Sequence, residues 1–187
     1  MATSVIFLDV DGVLACYRSQ MGCTKEECAQ PASNRLIFDA EEGSENVPLE
    51  AACLEQLAWL VKESGAGVVL STTWRLYPSM RNFLVKVLGE YGVQVLDDTP
   101  DLRKKDGRSG NGGRGNEVMS WLESHPEVSN FVVLDDDHRA SFECLLPPGH
   151  FVETLMTVSG DDEKFDPETG LTPAKAQQAL DILRRSE

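Results

Sequence analysis

The sequence predicts an α/β fold in which a mainly parallel sheet is wrapped by helices on both faces. Two observations carry this. Short apolar runs recur that are almost continuous rather than alternating, the pattern of strands covered on both sides. The stretches between them show helical periodicity, as crossover connections between parallel strands require.

The first strand is predicted over 4–8 (SVIFL), and similar runs occur at 67–70 (GVVL), 93–96 (VQVL), 131–134 (FVVL) and, more weakly, 151–152. Between the first two, Cys53, Leu57, Leu60 and Val61 share a helical face that stops at Gly65, with Pro48 expected in the first turn. Ser79 precedes Met80, Phe83, Leu84, Val87 and Leu88, an i, i+3, i+4, i+7, i+8 stripe that runs out by Gly92. Val118, Trp121 and Leu122 mark a third helix. Thr172 and Pro173 read as N-cap and first residue of a last one, with Ala176, Ala179, Leu180 and Leu183 on one face. Two stretches break the rhythm. Residues 15–47 form an insertion too long for an ordinary connection, and 101–116 (DLRKKDGRSGNGGRGN) is rich in glycine and base. Neither divides the chain, so a single domain over 1–187 is expected, with 15–47 as a flap or small cap.

A chain of 187 residues with 41% hydrophobic and 26% charged residues has enough apolar material for one sizeable core. Its formal net charge of -14 repels polyanions, so any phosphate it binds needs a local device. No apolar run approaches the ~20 residues that span a bilayer, and the N-terminus lacks a basic start and cleavage pattern. No membrane partner and a cytoplasmic location are expected. The cysteines Cys16, Cys23, Cys28, Cys53 and Cys144 are odd in number and show no C-x-x-C pair, which favours free thiols over disulfides or zinc.

In a parallel sheet, ligands bind beyond the carboxyl ends of the strands. Asp9 and Asp11 stand there after the first run, Ser71, Thr72 and Thr73 after the second, and Asp135, Asp136 and Asp137 after the fourth. Side chains two apart on an extended chain share a side, so Asp9 and Asp11 can converge. Carboxylates that close repel unless one is protonated or a cation sits between them. With Asp135 and Asp136 added, the oxygen-rich set suits Mg2+, which readily shares its shell with water and substrate phosphate.

The order of motifs resembles the haloacid dehalogenase superfamily. FLDVDGV matches its D-x-D-G signature, Ser71 in VVLSTTWR its strand-closing Ser or Thr, Arg114 in GRGNEVMSWL its basic residue, and Asp135 and Asp136 in FVVLDDD its acidic pair. The resemblance implies a Rossmann-like three-layer α/β/α sandwich and a Mg2+-dependent phosphatase working through an aspartyl phosphate. It casts Asp9 as nucleophile and Asp11 as general acid and base. Ser71, Thr72 and Arg114 would bind phosphate, with Lys105 as the other candidate for the basic position. Asp9, Asp11 (through its carbonyl), Asp135 and Asp136 would hold the metal. An aspartate at position 11 separates phosphatases from the superfamily's dehalogenases, which lack it, and from its ion pumps, which carry threonine.

Plainer readings compete at several positions. Ser71 alone would serve as a strand-end cap, and DDEKFDPETG at 161–170 reads as a solvated acidic loop. GNGGRG at 110–115 fits a dinucleotide fingerprint by letter, but no strand precedes it, so it reads as a loop feeding a helix N-terminus. Trp59 and Trp121 fall on helical stripes and belong to the core. Trp74, right after the serine-threonine run, is core or, alternatively, pocket wall. His138 beside the acidic triplet reads as a surface residue, with a contact to the site as its alternative. The expected substrate is a small phosphorylated molecule. A phosphoprotein or nucleic-acid end is the alternative, supported by the basic residues Arg103, Lys104, Lys105 and Arg108 and opposed by the net charge. A phosphoacceptor signalling module is the reading of a different class, and its motif order fits poorly.

Overall fold

The structure is a computed structural model and describes residues 3–16, 35–38, 47–102, 113–156 and 169–185. In chain order its elements are β1 (Thr3–Leu8), β2 (Arg35–Phe38), β3 (Val47–Glu50), α1 (Ala51–Ser64), β4 (Gly67–Leu70), a 3-10 turn (Thr73–Leu76), α2 (Pro78–Glu90), β5 (Val95–Asp98), α3 (Arg114–Glu123), β6 (Val128–Asp135), α4 (Arg139–Leu145), β7 (Phe151–Glu153) and α5 (Pro173–Leu183). Five strands form a parallel sheet in the order β5-β4-β1-β6-β7, and β2 and β3 pair separately as an antiparallel ribbon.

The central strands are apolar on both faces because both faces are covered. Ile6, Leu8, Val68, Leu70, Val132 and Leu134 pack with α1, α2 and α5, while Val5, Phe7, Val69, Phe131 and Val133 pack with α3 and α4. These two clusters make the sheet the middle layer of a Rossmann-like α/β/α sandwich. Each fully buried Val, Leu, Ile or Phe contributes about 1.5–3 kcal/mol of transfer free energy, which holds β1, the middle strand, rigidly in place. Trp121 is buried as its stripe predicts, with its ring edge-on to Phe7.

Several elements differ from the sequence reading, and β6 is longer than the expected run at 131–134, spanning Val128–Asp135. Pro48 lies in β3, opposite Ile37, and α1 starts only at Ala51. A proline without an N–H is tolerated in so short a ribbon, and Glu50 N–H then donates to Leu14 O, tying the ribbon to the chain beyond β1. The strand expected at 93–96 starts at Val95, because Val93 N–H donates to Leu88 O and closes α2 instead. Helix α4 carries no long apolar stripe and escapes a periodicity search. By contrast Thr172 accepts from Lys175 N–H with Pro173 at the first helical position, as predicted. Among the described residues no helix is long and apolar enough to cross a membrane. Residues 17–34 and 39–46 of the insertion, with Cys23 and Cys28, lie outside the described residues. The same holds for Arg103, Lys104, Lys105, Arg108 and most of the acidic loop at 161–170. Among the described residues Cys16 and Cys53 are buried and Cys144 is exposed.

Candidate active site

The ladder continues one hydrogen bond past each strand at the carboxyl edge, and this positions the residues just beyond. Asp9 N–H donates to Leu134 O (3.0 Å), Ser71 N–H to Leu8 O (2.8 Å), Thr99 N–H to Leu70 O (2.9 Å) and Thr154 N–H to Asp135 O (3.0 Å). Asp9, Ser71 and Asp135, from three adjacent strands, therefore share a rigid frame.

After Asp9 the chain folds back tightly. Val10 O accepts from the N–H groups of Val13, Leu14 and Ala15, and Gly12 N–H donates to Ala15 O. Gly12 adopts φ +71°, and a Cβ there would lie 2.1 Å from Asp136 Cγ. The glycine of D-x-D-G thus serves twice: it permits the left-handed turn and lets the first-strand loop touch the acidic pair.

Oxygens of Asp9, Asp135 and Asp136 all lie within 4.8 Å of one another. Asp9 is buried; its Oδ1 accepts from Val10 N–H at 2.8 Å, and the Thr72 hydroxyl bonds to its carboxylate. Asp135 Oδ1 accepts from Asp137 N–H at 2.9 Å. Its Oδ2 is buried with no hydrogen-bond partner among the described residues. Arg114, the first residue of α3, reaches over the group: Nη2 is 3.8 Å from Asp9 Oδ2, and Nε is 3.8 Å from Asp135 Oδ2. Another of its N–H groups donates to Ser71 O. Arg114 is a single positive charge facing three carboxylates, so the site carries surplus negative charge. Three converging carboxylates, with a buried Asp135 oxygen that accepts no hydrogen bond among the described residues, fit a hard divalent cation with oxygen ligands.

Electrostatics agree with this surplus. Burial raises the pKa of Asp9, against the pull of Arg114, the Val10 N–H and Thr72. Burial and then the charge of Asp9 push Asp135 up to about 8 and Asp136 to about 6. The Asp11 carboxylate stands apart from the cluster of three. Its Oδ2 accepts from the buried indole Nε1 of Trp74 at 3.2 Å, and burial, then the nearby Asp9, raises its pKa. Trp74 is buried in the apolar cluster on this side of the sheet, its core reading, and sends its indole N–H toward Asp11.

The remaining candidates separate clearly. Ser71 Oγ is buried and has no hydrogen-bond partner among the described residues, so it can receive a ligand. The Thr72 hydroxyl faces Asp9 and also accepts from Trp74 N–H. Lys105 lies outside the described residues. His138 is exposed at the start of α4 with φ +53°, and its charge favours ionised Asp9. Sequence reading missed Arg75 and Glu117, which are buried and joined at 2.8 Å, Glu117 lying one turn after Arg114 on α3. Their only signal was a charged residue at an otherwise apolar helical position and an arginine just after the serine-threonine run.

No curated protein matches the chain. Over residues 5–176 the sequence matches the family described as the HAD domain in Swiss Army Knife RNA repair proteins, and the chain belongs to that family.

Proposed function

We propose that the protein is a Mg2+-dependent phosphatase that hydrolyses a phosphate monoester through an aspartyl phosphate on Asp9. The observation that carries this reading is the convergence of Asp9, Asp135 and Asp136 within 4.8 Å under the Arg114 guanidinium. Asp9, Asp135 and Asp136, with the main-chain carbonyl of Asp11, would hold the ion. When bound, Mg2+ supplies charge neutralisation and orientation of the phosphoryl oxygens.

The chain's own groups divide the remaining work. Asp9 is held by Val10 N–H and Thr72, which orient its carboxylate for attack on phosphorus. Arg114 and the Ser71 hydroxyl receive the phosphoryl oxygens where negative charge spreads during transfer. The raised pKa of Asp11 keeps a proton available for the leaving oxygen, after which the carboxylate takes one from the attacking water. Trp74 holds Asp11 in place for both steps. One such acid or base typically supplies ~10² to 10⁴-fold, far short of the up to ~10²¹-fold that monoester hydrolysis can demand. The nucleophile, the cation and Arg114 are all needed.

For the substrate we take a phosphorylated nucleic-acid end. The matched family is described by RNA repair, and the insertion contributes only a short ribbon among the described residues, with β2 beside α2. We read 15–47 as a flap or small cap on one hydrolase domain, an insertion of a size compatible with a macromolecular phosphoester. The test is Mg2+-dependent phosphate release from p-nitrophenyl phosphate, then from a panel of 3'- and 5'-phosphorylated oligonucleotides, nucleotides, sugar phosphates and phosphopeptides. Turnover of oligonucleotide ends well above the rest supports the reading. A preference for sugar phosphates returns the substrate to a small metabolite, and no release from any member overturns the phosphatase.

A further inference from the structure

We infer that Arg75 and Glu117 are a positioning pair for the phosphate site, setting Arg114 against Ser71; this rests on the phosphatase reading. Arg114 is the first residue of α3, where a helix is least held by its own hydrogen bonds. The N-cap is Gly113, which offers no side chain to cap the first turn. The position of Arg114 is therefore a tertiary matter. One tether is Gly115 N–H donating to Ser141 Oγ at 3.1 Å. The other is Glu117, one turn after Arg114, whose Oε2 meets Arg75 Nη2 at 2.8 Å with both side chains almost fully buried.

Arg75 in turn gathers the strand ends. Its Nε donates to Thr99 O at 2.9 Å, its Nη2 to Pro100 O at 3.3 Å, and its Nη1 to Thr72 O. Glu117 Oε1 accepts from Leu102 N–H at 3.2 Å. Two guanidinium groups thus grip consecutive carbonyls, Arg114 on Ser71 and Arg75 on Thr72. With both carbonyls held, the Thr72 hydroxyl meets Asp9 while Ser71 Oγ is left for a ligand. A lysine at position 75 would lack the planar fork that reaches several acceptors at once.

A buried ion pair is weak support for stability, since apolar residues of similar volume often replace one without loss. The variant Arg75→Met/Glu117→Leu tests positioning against stability. Its Tm should fall, because the Thr72, Thr99 and Pro100 carbonyls and the Leu102 N–H lose their partners. But kcat for p-nitrophenyl phosphate, measured well below that Tm, should fall about 10²-fold with KM little changed. Orthovanadate, which mimics the five-coordinate phosphoryl group, should lose affinity in parallel. Combined with Arg114→Ala, the loss should fall well short of the product of the two separate losses, because both act through one group. Glu117→Gln, which keeps the shape, supplies the same readings if the apolar variant does not fold. Parental kcat and orthovanadate affinity in a folded variant, or losses that multiply fully with Arg114→Ala, overturn the pair. A parent chain that binds orthovanadate but releases no phosphate fails the phosphatase reading alone, and the pair is then judged on orthovanadate affinity. A parent that does neither overturns both.

Discussion

Asp9 and Asp11 stand two residues apart and do different work because their surroundings differ. Asp9 is gripped by backbone, Thr72 and Arg114, whereas Asp11 is tied to an indole outside the carboxylate cluster. Asp9→Asn should abolish Mg2+-dependent phosphate release, and Asp11→Asn should lower it by about 10² to 10⁴-fold; full activity in Asp9→Asn would remove the nucleophile assignment. The same carboxylates make a linkage prediction. Asp9, Asp11, Asp135 and Asp136 all have raised pKa values, to about 8 for Asp135 and about 6 for Asp136. Each holds its proton more tightly in the folded chain than in the unfolded one. The contribution to stability is thus full below the ordinary carboxylate range and is lost as pH rises toward about 8. The Tm of the metal-free protein should fall over that window. Added Mg2+ should raise Tm more at pH 8 than at pH 5, where protons compete for the same oxygens. At a hundredfold excess over Kd the gain is about 2.7 kcal/mol, or about 5–10 °C for a chain of this size. A Tm insensitive to Mg2+ at pH 8 would count against a cation at these residues.

Among the elements, the tight loop after β1 and the start of α3 decide the site. The loop depends on Gly12, whose φ of +71° and contact with Asp136 both exclude a side chain. Gly12→Ala should cost about 1–2 kcal/mol for the left-handed backbone alone and more for the clash. Phosphate release should drop beyond what the lower Tm explains, because Asp136 has to move. Near-parental activity would show that Asp136 is not needed where it sits. The D-x-D-G signature was visible in sequence because two aspartates and a glycine directly follow an apolar strand. The expected convergence of Asp9 with Asp11 fails because the chain turns tightly after Asp9 and leaves Asp11 outside the cluster. Helix α4 and the 3-10 turn were not, since seven and four residues leave too short a window for a 3.6-residue period. The ribbon of β2 and β3 was hidden for a related reason: its stability comes from its partner strand and from Leu14 O, not from its own pattern.

At the scale of the molecule, the parallel sheet brings to one edge residues spread from position 9 to position 136. The net charge of -14 surrounds that edge with a repulsive field for polyanions. If the substrate is an oligonucleotide end, kcat/KM should rise as salt is increased from about 10 mM toward 150 mM, where the Debye length shrinks from ~30 to ~8 Å. A fall over the same range would show that local positive charge outweighs the global field.

The sequence by itself determined the layer architecture and placed Asp9, Asp11, Ser71, Asp135 and Asp136 at the ends of its strands; Arg114 came from the family resemblance, with Lys105 as the other candidate. Continuous apolar runs require a doubly covered sheet, and such a sheet presents the residues at its strands' carboxyl ends along a common edge. Only the tertiary structure decided that Asp11 faces Trp74 while Asp9, Asp135 and Asp136 meet, and that Arg75 pairs with Glu117 on the helix that carries Arg114. Those outcomes depend on side-chain directions and on contacts across 42 and 63 positions of chain, for Arg75 with Glu117 and Trp74 with Asp11. Local periodicity carries no information at that range.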